Sequence, residues 1–134
     1  MNRTIRHLVI VVLSALIAAC ATTEPYSRVS GEYIGATMKR YPVIILSIDG
    51  KMRSPDNAWN LPAGTHTFLV VPVRPNYTYR TANAKEITID MEPCRMYYLA
   101  AQVGSVVKRD DWEPVVDKVR EIKSCSRETG AGSS

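Results

Sequence analysis

Short apolar segments that alternate with polar residues and end at Pro, Gly or Asn dominate the sequence from Tyr41 onward. Successive side chains of a β-strand point to opposite faces, so a period of two is typical of strands with one buried face. Segments this short, separated by turn residues, favour strands over helices. The sequence therefore predicts an all-β fold, a small antiparallel β-sandwich, for residues 41–125.

Two segments predict which side chains point into this sandwich. The first ends at Asp49-Gly50, a dipeptide that favours a two-residue hairpin turn because glycine accepts a positive φ. Its alternate apolar residues are expected to share one face: Ile44, Leu46 and Ile48. The second segment, Glu86–Met91, alternates without interruption. We expect its inward side chains to be Ile87, Ile89 and Met91.

Other segments are apolar on both faces or ambiguous. Leu61-Pro62-Ala63-Gly64 predicts a turn, and Thr65–Val73 after it predicts a strand at the centre of the sandwich. Met96–Val103 predicts a further strand that is partly buried on both sides. Val115–Ile122 fits either a helical stripe or a strand, and its β-branched residues favour the strand.

Three short motifs occupy turns and a strand: Ile48-Asp49-Gly50-Lys51, Leu61-Pro62-Ala63-Gly64-Thr65-His66 and Tyr97-Tyr98-Leu99-Ala100-Ala101. Together they resemble small sandwich modules of the PEGA-like and carboxypeptidase-regulatory-like kind. Trp112-Glu113-Pro114, a valine-rich stretch and Cys125 also resemble lipoproteins of Proteobacteria with this layout. The resemblance covers about Val43 to Cys125 and implies a sandwich with a structural or binding role and no transferable catalytic residues.

The N-terminus has the three-part layout of a secretory signal. Arg3 and Arg6 form a basic start, and Leu8–Ala19 is an apolar run that ends in small residues. A helix of this run is only about 18 Å long, against a hydrocarbon core of about 30 Å. We therefore expect residues 1–19 to be a cleaved signal helix and not a membrane anchor.

The residues Ile17-Ala18-Ala19-Cys20 resemble a lipobox. The resemblance implies a diacylglyceryl thioether on the Cys20 sulfur, cleavage before Cys20 and acylation of the new amine. Several acyl chains anchor a protein stably because each buried CH₂ contributes about 0.8 kcal/mol. Ala21 stands where an aspartate would resemble an inner-membrane retention signal, so we expect the outer membrane, with the domain facing the periplasm.

Two segments are expected to lie outside the folded domain. Residues 20–40 are rich in Thr, Ser, Pro and Gly, which predicts a lipidated N-terminus and a flexible tether. The one structure suggested there is a short edge strand near Tyr33–Met38. Residues 126–134 predict a disordered tail.

Cys94 and Cys125 remain once Cys20 is assigned to lipid. An even pair in an oxidising compartment predicts a disulfide. Since Cys94 precedes one predicted strand and Cys125 follows the last, the bridge would tie the final element to its neighbour. The alternative, a redox-active pair, lacks the Cys-x-x-Cys spacing.

Few residues are candidates for a catalytic or ligand site. His66 is the only histidine after the leader, too few for a metal site or His-based catalysis, and we expect its ring to cap a turn. Asp110-Asp111 beside Trp112 could form a carbohydrate or cation site, although a solvated turn before a core tryptophan is favoured. Tyr77 and Tyr79 share a strand face that serves either a partner or packing. We expect no catalytic residues, no cofactor and no metal.

Charge narrows the choice of partners. The net charge of +4 falls to +2 without Arg3 and Arg6, and the remaining basic residues are interleaved with acids, which argues against nucleic-acid binding. The leading interpretation is a membrane-anchored, non-enzymatic envelope lipoprotein that binds an envelope protein or glycan or has a structural role. The alternatives are an inhibitor of a cell-wall hydrolase such as lysozyme and a glycan-acting enzyme, which would need two carboxylates across a cleft.

Overall fold

The structure is a computed structural model. It describes residues 24–32, 35, 37–54, 58–74, 83–105, 108 and 110–125. The signal segment 1–19, the lipobox, Tyr77, Tyr79 and the tail 126–134 lie outside the described residues. What the sequence predicts for them stays a prediction.

Nine β-strands build the described part of the chain. In chain order they are β1 (Tyr26–Ser30), β2 (Arg40–Tyr41), β3 (Val43–Ile48), β4 (Lys51–Met52), β5 (Ala58–Pro62), β6 (Gly64–Pro72), β7 (Lys85–Met91), β8 (Arg95–Val103) and β9 (Trp112–Glu121). They form one five-stranded and one four-stranded sheet. A single core cluster takes residues from both sheets, so the predicted all-β sandwich is confirmed.

The four-stranded sheet has the order β4-β3-β6-β7, and each pair of neighbours is antiparallel. Asp49 and Gly50 join β3 to β4 with φ angles of 52° and 77°. Positive φ at both positions is the requirement of the two-residue hairpin turn that the Asp-Gly dipeptide predicted. The centre of this sheet is β6, whose Phe68 and Val70 are fully buried.

The five-stranded sheet is organised around β8. One edge of β8 pairs with β9 along its whole length. The other edge is shared, since β1 pairs with residues 96–98 and β2 with residues 101–102. β5 pairs with the far side of β1. The β1–β8 pairing is parallel, whereas the other pairings of the described strands are antiparallel.

The core lies between the two sheets. The five-stranded sheet contributes Val29, Leu61, Tyr97, Leu99, Ala101, Val103 and Trp112, and the four-stranded sheet contributes Val43, Ile45, Ile48, Phe68, Val70, Ile89 and Met91. Apolar surface removed from water stabilises the fold by about 25 cal/mol per Å². Trp112, the largest of these residues, is 1% exposed and therefore belongs to the interior.

Two predictions about strands are confirmed. Ile89 and Met91 of β7 are buried and Ile87 is half-buried against the core, whereas Glu86, Thr88 and Asp90 are exposed. The ambiguous segment after Trp112 is the strand β9 and not a helix. Uninterrupted alternation in the first case and β-branched residues in the second were the correct signals.

The predicted inward face of β3 is wrong in part. Val43 and Ile45 are buried, whereas Ile44 and Leu46 are only half-buried. The register of β3 against β6 shifts between Ile45 and Ser47, so one extra residue enters the strand at Leu46. A bulge of this kind reverses the alternation, and Ile48 therefore returns to the core.

The predicted tether and the predicted turn before β6 also need correction. Tyr26–Ser30 are a strand between β8 and β5 and not a tether, and Ser27 is buried with its hydroxyl donating to the Glu92 carbonyl at 2.5 Å. The polarity of Ser27 predicted a linker residue. A serine is tolerated in a core, however, when its hydroxyl is hydrogen-bonded to the backbone. Leu61 and Pro62 belong to β5, and the chain changes sheets at Ala63-Gly64.

Candidate functional site

The proposed lipid attachment lies next to the fold in sequence. Cys20 and the lipobox precede the first described residue, Glu24, so the structure bears on them only through their neighbours. The first strand begins at Tyr26, six residues after the predicted lipidated cysteine. An anchor at Cys20 would therefore keep the start of β1 close to the membrane.

The two other cysteines are joined. Cys94 and Cys125 form a disulfide with a Cα–Cα distance of 5.4 Å, and both residues are buried. The bridge links the turn before β8 to the segment after β9, as the sequence predicted. Its alternative reading as a reactive pair has no support from exposure, because reactive thiols need solvent access.

Backbone contacts tie this disulfide to the start of the first strand. The Cys94 amide donates to the Tyr26 carbonyl at 2.9 Å, and the Cys125 sulfur lies 3.6 Å from the same oxygen. The Ile122 amide donates to the Cys94 carbonyl, also at 2.9 Å. We call this part of the sandwich, marked by Tyr26, Pro62, Cys94, Glu121 and Cys125, the disulfide end.

His66 connects the two sheets close to this end. Its Nδ1 lies 2.6 Å from the Asp49 carboxylate in the β3–β4 turn, and its Nε2 lies 2.7 Å from the Pro62 carbonyl of β5. The other Asp49 oxygen accepts from the Thr67 amide at 2.9 Å. The expectation that the ring caps a turn is confirmed.

The protonation of this pair follows from its contacts. Burial lowers the pKa of His66, but the hydrogen bonds to Asp49 and Pro62 and the Asp49 charge outweigh it, so the pKa lies above its ordinary 6.5. Hydrogen bonds from His66 and Thr67 hold the pKa of Asp49 below its ordinary 3.8, against the opposing effect of burial. Both ring nitrogens are engaged with acceptors of the protein, which favours the doubly protonated imidazolium.

The aspartates beside Trp112 have a structural arrangement. Asp110 and Asp111 are exposed, and the Trp112 amide donates to the Asp110 carbonyl at 3.0 Å, which makes a turn. Lys85 Nζ donates to the carbonyls of Asp110 and Trp112 at 3.2 and 2.6 Å and lies 5.2 Å from the indole centroid. The buried indole cannot serve as a platform for a sugar, so the favoured interpretation, a turn before a core tryptophan, is confirmed.

A polar network on the five-stranded sheet was missed by the sequence analysis. Arg40 of β2 donates through Nε to Gln102 of β8 at 2.7 Å and through Nη1 to Asp117 of β9 at 2.5 Å. Only 8% of the Asp117 side chain is exposed. The network joins three neighbouring strands, and no local signal could reveal it because Arg40 and Asp117 are 77 residues apart.

Two searches of the described residues concern other kinds of site. Within these ranges, no three or more His, Cys, Asp or Glu side chains are grouped so that they could hold a metal ion. No helix in the same ranges has the length and apolar character to cross a membrane.

Comparisons with known proteins identify no relative. No family model matches the chain, and neither the curated proteins nor the solved structures include a significant match. The resemblance to PEGA-like modules therefore rests on the motifs themselves. What the described residues define by their geometry is a disulfide-bonded β-sandwich.

Proposed function

We propose that this chain is a lipoprotein of the bacterial cell envelope, anchored through acyl chains on Cys20. Its sandwich serves as a non-enzymatic structural or binding module that faces the periplasm from the outer membrane. A protein or glycan of the envelope is the partner that fits this placement.

The use of the three cysteines carries the proposal. Cys94 and Cys125 are consumed by a buried disulfide, which is the state expected of cysteines in an exported protein. Cys20 stands alone at the end of an apolar leader, directly after Ile17-Ala18-Ala19. Export explains the disulfide, and a lipobox explains why the third cysteine lies at the cleavage point.

The contacts of His66 support a non-enzymatic role. A general base needs a ring nitrogen that can reach a substrate proton. Both nitrogens of His66 are instead held at 2.6 and 2.7 Å by Asp49 and Pro62. The only histidine of the mature chain is therefore used to join the two sheets.

Intact mass of protein purified from detergent-solubilised membranes tests the proposal. We expect a chain that begins at Cys20 and carries acyl chains, with two thiols that react with an alkylating reagent only after reduction. The matched control is Cys20→Ser, which should retain the leader and carry no lipid while keeping the disulfide. An unacylated wild-type chain would contradict the anchor, and two thiols that react before reduction would contradict the disulfide.

A further inference from the structure

The strand directions place the start of the fold at one end of the sandwich. β1 runs parallel to β8, so Tyr26 lies at the same end as Arg95, the first residue of β8. β5 and β9 run antiparallel to these strands, so their last residues, Pro62 and Glu121, lie there too. This is the disulfide end. We call the opposite end, where β8 leads through residues 104–111 into β9, the loop end.

Covalent geometry limits how far this end can move from Cys20. Six residue steps separate Cys20 from Tyr26, and an extended chain spans at most about 3.3–3.6 Å per residue, which gives about 20 Å. That bound holds for every conformation of the connecting residues. The strand β9 covers about 26 Å between Glu113 and Glu121 at about 3.3 Å per residue. The link is therefore shorter than the sandwich is long.

We infer that the disulfide end faces the bilayer headgroups and that the loop end points into the periplasm. The inference rests on the proposed lipid anchor at Cys20. With acyl chains in the membrane, Tyr26 stays within about 20 Å of the headgroups, while the loop end can extend a full strand length beyond it. Met38, with 87% exposure, is then among the side chains that point away from the membrane.

The charges of the disulfide end indicate that the link, and not electrostatic attraction, sets this orientation. Arg95 is paired with Glu92 at 3.6 Å, and Asp49 is paired with His66. The basic Lys123 is two residues from the exposed, acidic Glu121 in the sequence. A surface of mixed charge has no strong preference for anionic lipid. The orientation is therefore the same on neutral and on anionic membranes.

Two single-cysteine variants on the same strand test the inference. Glu121→Cys and Glu113→Cys replace exposed side chains at the two ends of β9. In the acylated, disulfide-bonded protein the introduced thiol is the only one that a fluorophore can label, which intact mass verifies. The labelled proteins are placed in phosphatidylcholine vesicles that contain lipids with a nitroxide on the headgroup, a short-range quencher.

We expect the Glu121→Cys label to lose most of its fluorescence to the quencher and the Glu113→Cys label to keep most of it. The result should persist when anionic lipid and salt are varied. Equal quenching of the two labels, or stronger quenching at Glu113→Cys, in an acylated protein would overturn the inference and leave the lipid anchor intact. An unacylated mass would overturn the proposed function and the inference together.

Discussion

Different kinds of contact stabilise each of the two sheets of the sandwich. The four-stranded sheet contains a two-residue hairpin, and all its pairings are antiparallel. The five-stranded sheet pairs β1 with β8 in parallel, between residues 28–30 and 96–98. It also carries the disulfide and the Arg40–Asp117 ion pair. The first sheet contains a local two-residue hairpin, and the second contains cross-links between distant segments.

This difference predicts where stability is sensitive to mutation. Closing a long loop has an entropic cost that distant pairings must offset. A covalent link between strands reduces that entropic cost, and an ionic link adds favourable free energy to the pairing that offsets it. We therefore expect the loss of each cross-link to weaken the five-stranded sheet first.

Removal of the disulfide should have the largest effect. For a sequence separation of 31 residues, the chain-entropy relation gives a loss of about 3–4 kcal/mol in the free energy of unfolding. The measurement is urea denaturation of Cys94→Ala/Cys125→Ala, with amide exchange to locate the change. Reduced and alkylated wild type is the control and should lose a similar amount. Equal acceleration of exchange in β6–β7 and β8–β9 would show that the disulfide stabilises both sheets alike.

Gly31 tests the junction between the sheets, where the chain leaves β1. The Val43 amide of β3 donates to the Gly31 carbonyl at 2.9 Å, and a Cβ on Gly31 would collide with the Val43 carbonyl oxygen. Because the Val43 backbone is less free to shift than a side chain, Gly31→Ala should lower the free energy of unfolding by about 1–3 kcal/mol, the usual range for overpacking. Glu32→Ala, at an exposed neighbour, is the control and should have little effect in the same thermal unfolding assay.

Asp117→Asn tests the ionic link of the five-stranded sheet. The amide can still accept a hydrogen bond from Arg40, but the charge is lost, so we expect a loss of about 1 kcal/mol. Glu113→Gln removes an exposed charge from the same strand and should change the unfolding free energy by less. If both variants unfold alike in urea, the ion pair contributes nothing specific to this sheet.

The contrast between local pattern and distant pairing explains what could be predicted from the sequence. The inward residues of β7 were predicted correctly because their alternation has no interruption. In β3 the bulge at Leu46 is a property of the pairing with β6, which single-strand periodicity does not contain. The strand β1 was predicted as a tether because its serines are polar, yet Ser27 is bonded to the Glu92 carbonyl and lies in the interior.

The same reasoning applies to the candidate sites. Cysteine parity and the expected oxidising compartment sufficed to predict the pairing of Cys94 with Cys125, since only one pairing was open once Cys20 was assigned to lipid. The cap formed by His66 was predicted from its position after a turn. The Arg40–Gln102–Asp117 network needs the order of β2, β8 and β9, which the sequence does not specify. Contacts across non-sequential strands therefore mark the limit of what the pattern could predict.

The smallest expected effect concerns His66, which links the turn of the four-stranded sheet to β5 of the other sheet. Its raised pKa means that its stabilisation is fully present below about 6.5 and is lost as pH rises through the folded-state value. The lowered pKa of Asp49 has the opposite sign, so its stabilisation is present above about 3.8 and is lost as pH falls further. The contact should therefore contribute most between about pH 4 and 6.5.

An NMR titration of the imidazole in residues 20–134 measures this directly, because that segment contains a single histidine. The midpoint should lie above 6.5 in the wild type and should fall in Asp49→Asn, which removes the charge that favours the imidazolium. Asp90→Asn removes an exposed charge from β7, the strand paired with β6, and should leave the midpoint nearly unchanged. A wild-type midpoint at or below 6.5 would mean that burial outweighs the two hydrogen bonds. In that case the neutral ring would donate to only one of its two acceptors, and the hydrogen bond to the other would be lost.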